Sequence, residues 1–104
     1  MAQGMLGMAE VKTLISGNTV VAETLANGSA FRSYFAPSGE IVVQRNDANE
    51  FSGYWSVRTD GSLCVSFTHE ACGTVERNAD GSYTRAVNGT PEYKWVKITP
   101  GRGF

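Results

Sequence analysis

Residues 50–68 read EFSGYWSVRTDGSLCVSFT, which is two runs of alternating apolar and polar residues separated by an Asp-Gly turn. Alternation with a period of two is typical of β-strands, whose successive side chains point to opposite faces. The Asp-Gly pair supplies the backbone conformation that a tight hairpin needs. One face of this hairpin is apolar and is expected to face the core, through Phe51, Gly53, Trp55, Val57, Leu63, Val65 and Phe67.

Short strands and glycine-containing turns continue on both sides of this hairpin. Turns are predicted at residues 26–29, 37–39, 59–62, 79–82 and 88–90. They divide the chain into about eight strands, at residues 19–25, 30–36, 40–45, 50–58, 62–68, 72–77, 82–87 and 92–98. Phe31, Phe35, Ile41 and Val43 are expected to share the inner face. Because a meander hides its edges by closing, we predict a mainly-β fold, an antiparallel meander that forms a small lipocalin-like barrel.

The N-terminal part of the chain has a different pattern. Residues 1–8 are rich in Gly and lack periodicity, which predicts a flexible segment. Val11, Leu14 and Ile15 then have helical spacing, so we predict a short N-terminal helix over residues 9–15, capped by Gly17 and Asn18. So short a helix must pack against the sheet to be stable. We expect a single β-barrel domain over residues 9–104, with the helix closing one end.

Composition excludes several classes of protein. The chain has 104 residues, of which 41% are hydrophobic and 18% charged, as expected of one folded domain. The net charge is −1 and the basic residues are scattered, so we expect no nucleic-acid partner. No apolar run approaches the roughly 18 residues of a membrane span. We expect a monomer without a cofactor.

The two cysteines lie on neighbouring predicted strands. If Cys64 and Cys72 face each other, their even index sum requires an odd-length loop or a bulge between them. The pattern favours a structural disulfide on the outer surface of the sheet, and two inert thiols are the alternative. A third possibility is a metal or redox site that adds His69, with Glu70 nearby, but zinc usually takes a fourth ligand and the spacing is not Cys-x-x-Cys. We therefore predict no metal site.

Four aromatic residues are candidates for ligand binding: Tyr34, Tyr54, Trp55 and Trp95. Tyr34 and Tyr54 alternate away from the predicted core and are candidates for an exposed patch. Gly53 and Trp55 form a motif that is similar to the Gly-x-Trp signature of lipocalins, although it lies on the fourth strand here and on the first strand there. The simpler interpretation is a glycine that permits a close approach beside a core tryptophan.

Catalysis finds little support in the sequence. The chain contains no Gly-x-Ser-x-Gly elbow, no phosphate-binding glycine loop before a helix and no His-Glu-x-x-His motif. His69 is the only histidine, and it lies in a predicted turn. We expect no catalytic residue, and an enzyme would need a buried polar cluster inside the barrel, around Glu23, Arg32 or Arg85.

Several short stretches, taken in order, carry a resemblance. They are residues 14–19, 33–39, 51–57, 63–64 with Cys72, and 98–101. From Leu14 onward the chain resembles a family of small exported alphaproteobacterial proteins of unknown function. The resemblance implies a periplasmic or secreted β domain with a Cys64–Cys72 bridge and no assigned catalytic residue. The chain departs from the family at Gly73, where an aromatic residue commonly follows the second cysteine.

These observations lead to a functional expectation. We expect a non-enzymatic extracytoplasmic binding module that recognises a protein, an envelope component or a small apolar ligand. The alternative is a periplasmic inhibitor of a protease or lysozyme, and in the protease version residues 1–8 would enter the target cleft. A small enzyme with its site inside the barrel is third. Residues 1–8 do not resemble a signal peptide. We expect a periplasmic or secreted location, with the signal peptide absent from this chain.

Overall fold

The computed structural model describes residues 4–45 and 50–104. Within these residues one helix precedes nine antiparallel strands of a single sheet. Their bounds are α1 Met8–Ile15, β1 Asn18–Thr24, β2 Ala30–Phe35, β3 Glu40–Arg45, β4 Glu50–Val57, β5 Leu63–Ser66, β6 Glu70–Gly73, β7 Val75–Arg77, β8 Tyr83–Val87 and β9 Thr90–Pro100. The predicted mainly-β class, the antiparallel meander and the short helix are confirmed. The strands form a nearly closed barrel.

The barrel is closed by a stretch that the sequence predicts as one strand, residues 72–77. In the structure this stretch is divided at Thr74 into β6, which pairs with β5, and β7, which pairs with β8. Where the two halves meet, the Ala86 amide donates to the Thr74 carbonyl and the Asn88 amide donates to the Cys72 carbonyl, each at 2.9 Å. The predicted strand therefore bends, and its first half pairs with β5 while its second half pairs with β8. The two halves count as separate strands, so the described residues form nine strands and not about eight.

Gly73 makes this closure sterically possible. A Cβ atom at this position would lie 1.7 Å from the carbonyl oxygen of Ala86, closer than any side chain permits. Only glycine allows β6 and β8 to approach this closely.

The inner face of the barrel follows the predicted alternation. On β4 the side chains of Ser52, Tyr54 and Ser56 are exposed, whereas Val57 on the opposite face is buried. Leu63 on β5 is fully buried. The buried apolar residues form one core: Leu6, Val11, Ile15, Val20, Ala22, Phe35, Ile41, Val43, Val57, Leu63, Val75 and Trp95. The face predicted from residues 50–68 is thus the inner face.

Helix α1 packs against β1 and β4. Val11 and Ile15 are fully buried on its inner side. Gly17 follows the helix with a φ of +77°, the left-handed conformation in which helices commonly end. The Asn18 side-chain amide donates to the Leu14 carbonyl at 2.7 Å. The predicted helix and its C-terminal cap are confirmed within one residue.

The segment before the helix is held by β7. The Leu6 amide donates to the Val75 carbonyl at 2.9 Å, and the Arg77 amide donates to the Gly4 carbonyl at 2.6 Å. The Leu6 side chain is 5% exposed. Of the segment predicted to be flexible, residues 1–3 lie outside the described residues, and residues 4–7 lie against β7, where Met5 forms a single β-bridge with Glu76. No helix in the described part of the chain has the length and hydropathy needed to cross a membrane.

Candidate functional site

The inner faces of the strands line a cavity of about 420 Å³ that opens to solvent. Most of its lining is apolar, contributed by Val20, Phe31, Phe35, Ile41, Val43, Phe51, Val65, Phe67, Ala71, Val87, Tyr93 and Trp95. Its polar lining consists of Ser33, Arg45, His69, Arg85 and Glu92. A cavity of this size with few polar groups has the usual properties of a small-molecule site.

Aromatic rings form the deep end of the cavity. Phe35 contacts Trp55 edge-on at 5.7 Å between ring centroids and lies 6.2 Å from the ring of Trp95. The Trp55 indole N–H donates to the Ala36 carbonyl at 2.9 Å, which fixes that ring at the end of the barrel. Trp95 is 3% exposed and lines the cavity, whereas Trp55 packs behind Phe35. The close approach predicted at Gly53 is present, because a Cβ atom there would lie 2.1 Å from the main-chain carbonyl oxygen of Ser66 on β5.

The mouth of the cavity is flanked by two phenylalanines. Phe51 and Phe67 are 40% and 41% exposed, and their rings meet edge-on at 5.0 Å. A Cβ atom at Gly53 would lie 2.7 Å from Cδ1 of Phe67 as well as 2.1 Å from the Ser66 carbonyl oxygen, so glycine makes room for both the neighbouring strand and this ring. The guanidinium of Arg45 lies over the ring of Phe31 at 4.6 Å, and both residues line the cavity. The mouth of the cavity therefore exposes an apolar surface to solvent.

Arg85 is the charged group buried in the wall. It lies on β8 between Tyr83 and Val87, and its side chain is directed inward by the strand alternation. Arg85 is only 5% exposed. Its Nη2 donates to the main-chain carbonyls of Leu63 at 3.0 Å and Ala71 at 3.2 Å. The buried Nε finds no acceptor among the described residues.

The electrostatic setting of Arg85 is dominated by burial. Removal from water lowers the pKa of this guanidinium, and the nearby Tyr93 phenol raises it. An arginine stays protonated in proteins, so the group carries its positive charge inside the barrel. Within residues 4–45 and 50–104, no carboxylate forms an ion pair with Arg85. The ion pairs found there involve Arg58, Lys94 and Arg102 instead.

The other members of the predicted polar cluster lie elsewhere. Glu23 is exposed on β1. Arg32 lies on the outer face of β2, where it donates to the Gln44 side chain and lies 5.2 Å from the Phe104 ring centroid. The structure therefore does not bring Glu23 and Arg32 to the inward-facing Arg85.

The four predicted ligand-binding residues are divided between the two faces. Trp95 lines the cavity and Trp55 lies behind it. Tyr34 and Tyr54 lie on the outer face of β2 and β4, on either side of β3, and Tyr54 is 71% exposed. A binding role for these four residues stays a prediction. The alternation of β8 was the signal that could have added Arg85 as a ligand-binding residue.

The cysteines form a disulfide, Cys64–Cys72. They are directly opposed across β5 and β6, and the loop between Ser66 and Glu70 has the odd number of residues that the sequence requires. Alternation turns the bridge away from the cavity, but Cys64 is only 2% exposed, so the bridge is more covered than expected. The Glu70 carboxylate lies within 4.8 Å of both sulfurs and pairs with Arg58 at 3.4 Å. Because both sulfurs are bonded to each other, the free-thiol interpretation is wrong.

Comparison with protein-family models, curated proteins and solved structures found no match for this chain. The resemblance to the exported family stays a prediction. The disulfide is consistent with an oxidising compartment outside the cytoplasm.

Proposed function

We propose that this protein is a non-enzymatic binding protein that takes one small apolar ligand inside its barrel, in the periplasm or outside the cell. The cavity of about 420 Å³ with its mostly apolar lining is the observation that carries this proposal. The disulfide supports the compartment.

The cavity volume limits the size of the ligand. A cavity of 150 Å³ holds one benzene molecule, so by proportion 420 Å³ holds about 17 non-hydrogen atoms. Burying an apolar ligand of this size against phenylalanine and valine side chains is favourable because apolar surface on both partners leaves water. The exposed rings of Phe51 and Phe67 extend the apolar surface to the mouth and give such a ligand a path inward.

The inhibitor alternative has less support. In its protease version, residues 1–8 would have to leave the domain and enter a target cleft. Leu6 is 5% exposed, and its amide is bonded to the Val75 carbonyl, so release of this segment would expose a core side chain and break sheet hydrogen bonds. The segment acts in this structure as part of the barrel.

Binding of a neutral fluorescent probe tests the proposal. N-phenyl-1-naphthylamine becomes fluorescent in apolar surroundings and carries no charge. We expect saturable binding at one site per chain, and we expect Ser33→Phe to abolish it, because Ser33 is 5% exposed and lines the cavity. Ser52→Phe is the matched control, since Ser52 is exposed on the outer face of β4.

Two results would contradict the proposal. One is the absence of saturable binding to the wild-type protein. The other is unchanged binding by a folded Ser33→Phe variant, with circular dichroism used to verify the fold. Loss of binding in Ser52→Phe instead would point to the outer face of the sheet.

A further inference from the structure

Arg85 is an unusual residue for the wall of an apolar cavity. A buried guanidinium without a counter-charge is costly, and proteins usually pair such a group with a carboxylate. Here Nη2 is bonded to two neutral carbonyls, at Leu63 and Ala71, and Nε has no acceptor among the described residues. Both carbonyls hold the guanidinium in place without neutralising it.

Nearby groups of the protein do not supply the missing negative charge. Glu92 also lines the cavity, but in the described part of the chain it forms no ion pair with Arg85. Tyr93, the residue directly opposite Arg85 on β9, carries a phenol and no carboxylate. The positive charge inside the barrel is therefore available to a ligand.

We propose that the ligand is an anionic amphiphile whose carboxylate binds the Arg85 guanidinium inside the barrel. This inference rests on the proposed function and specifies the ligand class. Following the strand order around the barrel, β8 lies opposite β3, so the apolar part of the ligand packs against Ile41 and Val43 on the facing wall. Charge-assisted hydrogen bonds are about twice as strong as neutral ones, so they can select a carboxylate over an alcohol.

Competition between two ten-carbon ligands tests the inference. Decanoate and decan-1-ol differ in their head groups and are small enough for the cavity. Each is titrated against bound N-phenyl-1-naphthylamine at neutral pH. We expect decanoate to bind wild-type protein roughly tenfold or more tightly than decan-1-ol, because only the carboxylate compensates the buried charge.

Variants assign the preference to Arg85. Arg85→Met fills a similar volume without charge, and it should bind the two ligands equally while still binding the neutral probe. Arg58→Met is the matched control, because Arg58 is exposed and pairs with Glu70 on the outer face, and it should keep the preference. The comparison of the two ligands on the wild-type protein needs no variant. It therefore tests the anionic ligand even where Arg85→Met does not fold.

The outcomes separate this inference from the proposed function. Equal binding of decanoate and decan-1-ol by the wild-type protein overturns the anionic ligand and leaves the apolar site intact. A preference for decanoate that persists in folded Arg85→Met overturns the role of Arg85. If the wild-type protein binds neither the neutral probe nor the two ligands, the proposed function itself fails.

Discussion

Substitution of Gly73 by alanine is expected to open the barrel. The new Cβ would lie 1.7 Å from the Ala86 carbonyl oxygen, and real Cβ atoms essentially never approach closer than 3.0 Å. The strands must therefore separate by about 1.3 Å, the difference between these two distances. The 2.9 Å hydrogen bonds from Ala86 to Thr74 and from Asn88 to Cys72 would then be broken or badly stretched.

The expected cost follows from these two effects. Overpacking of a fixed site costs about 1–3 kcal/mol. Each lost hydrogen bond adds about 1 kcal/mol, so Gly73→Ala should lower the free energy of unfolding by about 3–5 kcal/mol. A domain of this size is stable by about 5–15 kcal/mol, so the variant should fold but unfold at much lower urea concentration.

Gly103→Ala is the control for Gly73→Ala. A Cβ atom at Gly103 would meet its nearest neighbour, Oγ1 of Thr19, at an ordinary 3.7 Å. We expect this variant to unfold like the wild type in urea. If Gly73→Ala is within about 0.5 kcal/mol of wild type, the range of an ordinary surface substitution, then β6 and β8 do not close the barrel as described.

Two further predictions concern the bridge and the acid limit of stability. Replacing both Cys64 and Cys72 by alanine should lower the free energy of unfolding in urea by about 2.5 kcal/mol. The separation of eight residues sets the chain entropy that the disulfide removes from the unfolded state. A loss below about 1 kcal/mol would contradict this prediction. The Ser82 hydroxyl and amide donate to Asp80 and lower its pKa from 3.8 to about 2. The stabilisation from the lowered pKa is fully present above the unfolded pKa of 3.8 and is lost as the pH falls towards about 2. Asp80→Asn should therefore make the melting temperature depend less steeply on pH between these two values. An unchanged slope in this variant would refute the prediction.

Local patterns in the sequence predict most of the fold because they act within a few residues. The alternation over residues 50–68 identifies the inner face, and the helical spacing of Val11 and Ile15 identifies the buried side of the helix. The even index sum of Cys64 and Cys72 predicts the odd loop between their strands. Each of these inferences depends on side-chain direction, which secondary structure sets locally.

Features that depend on distant partners were not predicted. The division at Thr74 follows from contact between Gly73 and Ala86, which are joined only when the barrel closes. The burial of Leu6 accompanies the hydrogen bond from its amide to the distant Val75 carbonyl, and the glycine-rich sequence around Leu6 gives no sign of this contact.

The candidate site was predicted in part. Alternation predicts that Phe31, Val43 and Val65 point inward, but it gives no cavity volume, because the volume depends on how side chains from several strands meet. Arg85 follows the same alternation, yet only its burial and its bonds to the Leu63 and Ala71 carbonyls distinguish it from a solvated strand arginine.

The most direct test of the central claim is a ¹H–¹⁵N correlation spectrum of the wild-type protein, recorded with and without decanoate. On addition of decanoate we expect the Arg85 Nε–H resonance to shift together with the amide resonances of cavity residues such as Ser33 and Val43. The amide resonances of Tyr34 and Tyr54 should not shift. Shifts confined to Tyr34 and Tyr54, or an unchanged Arg85 Nε–H resonance at saturating decanoate, would contradict a ligand held inside the barrel by this arginine.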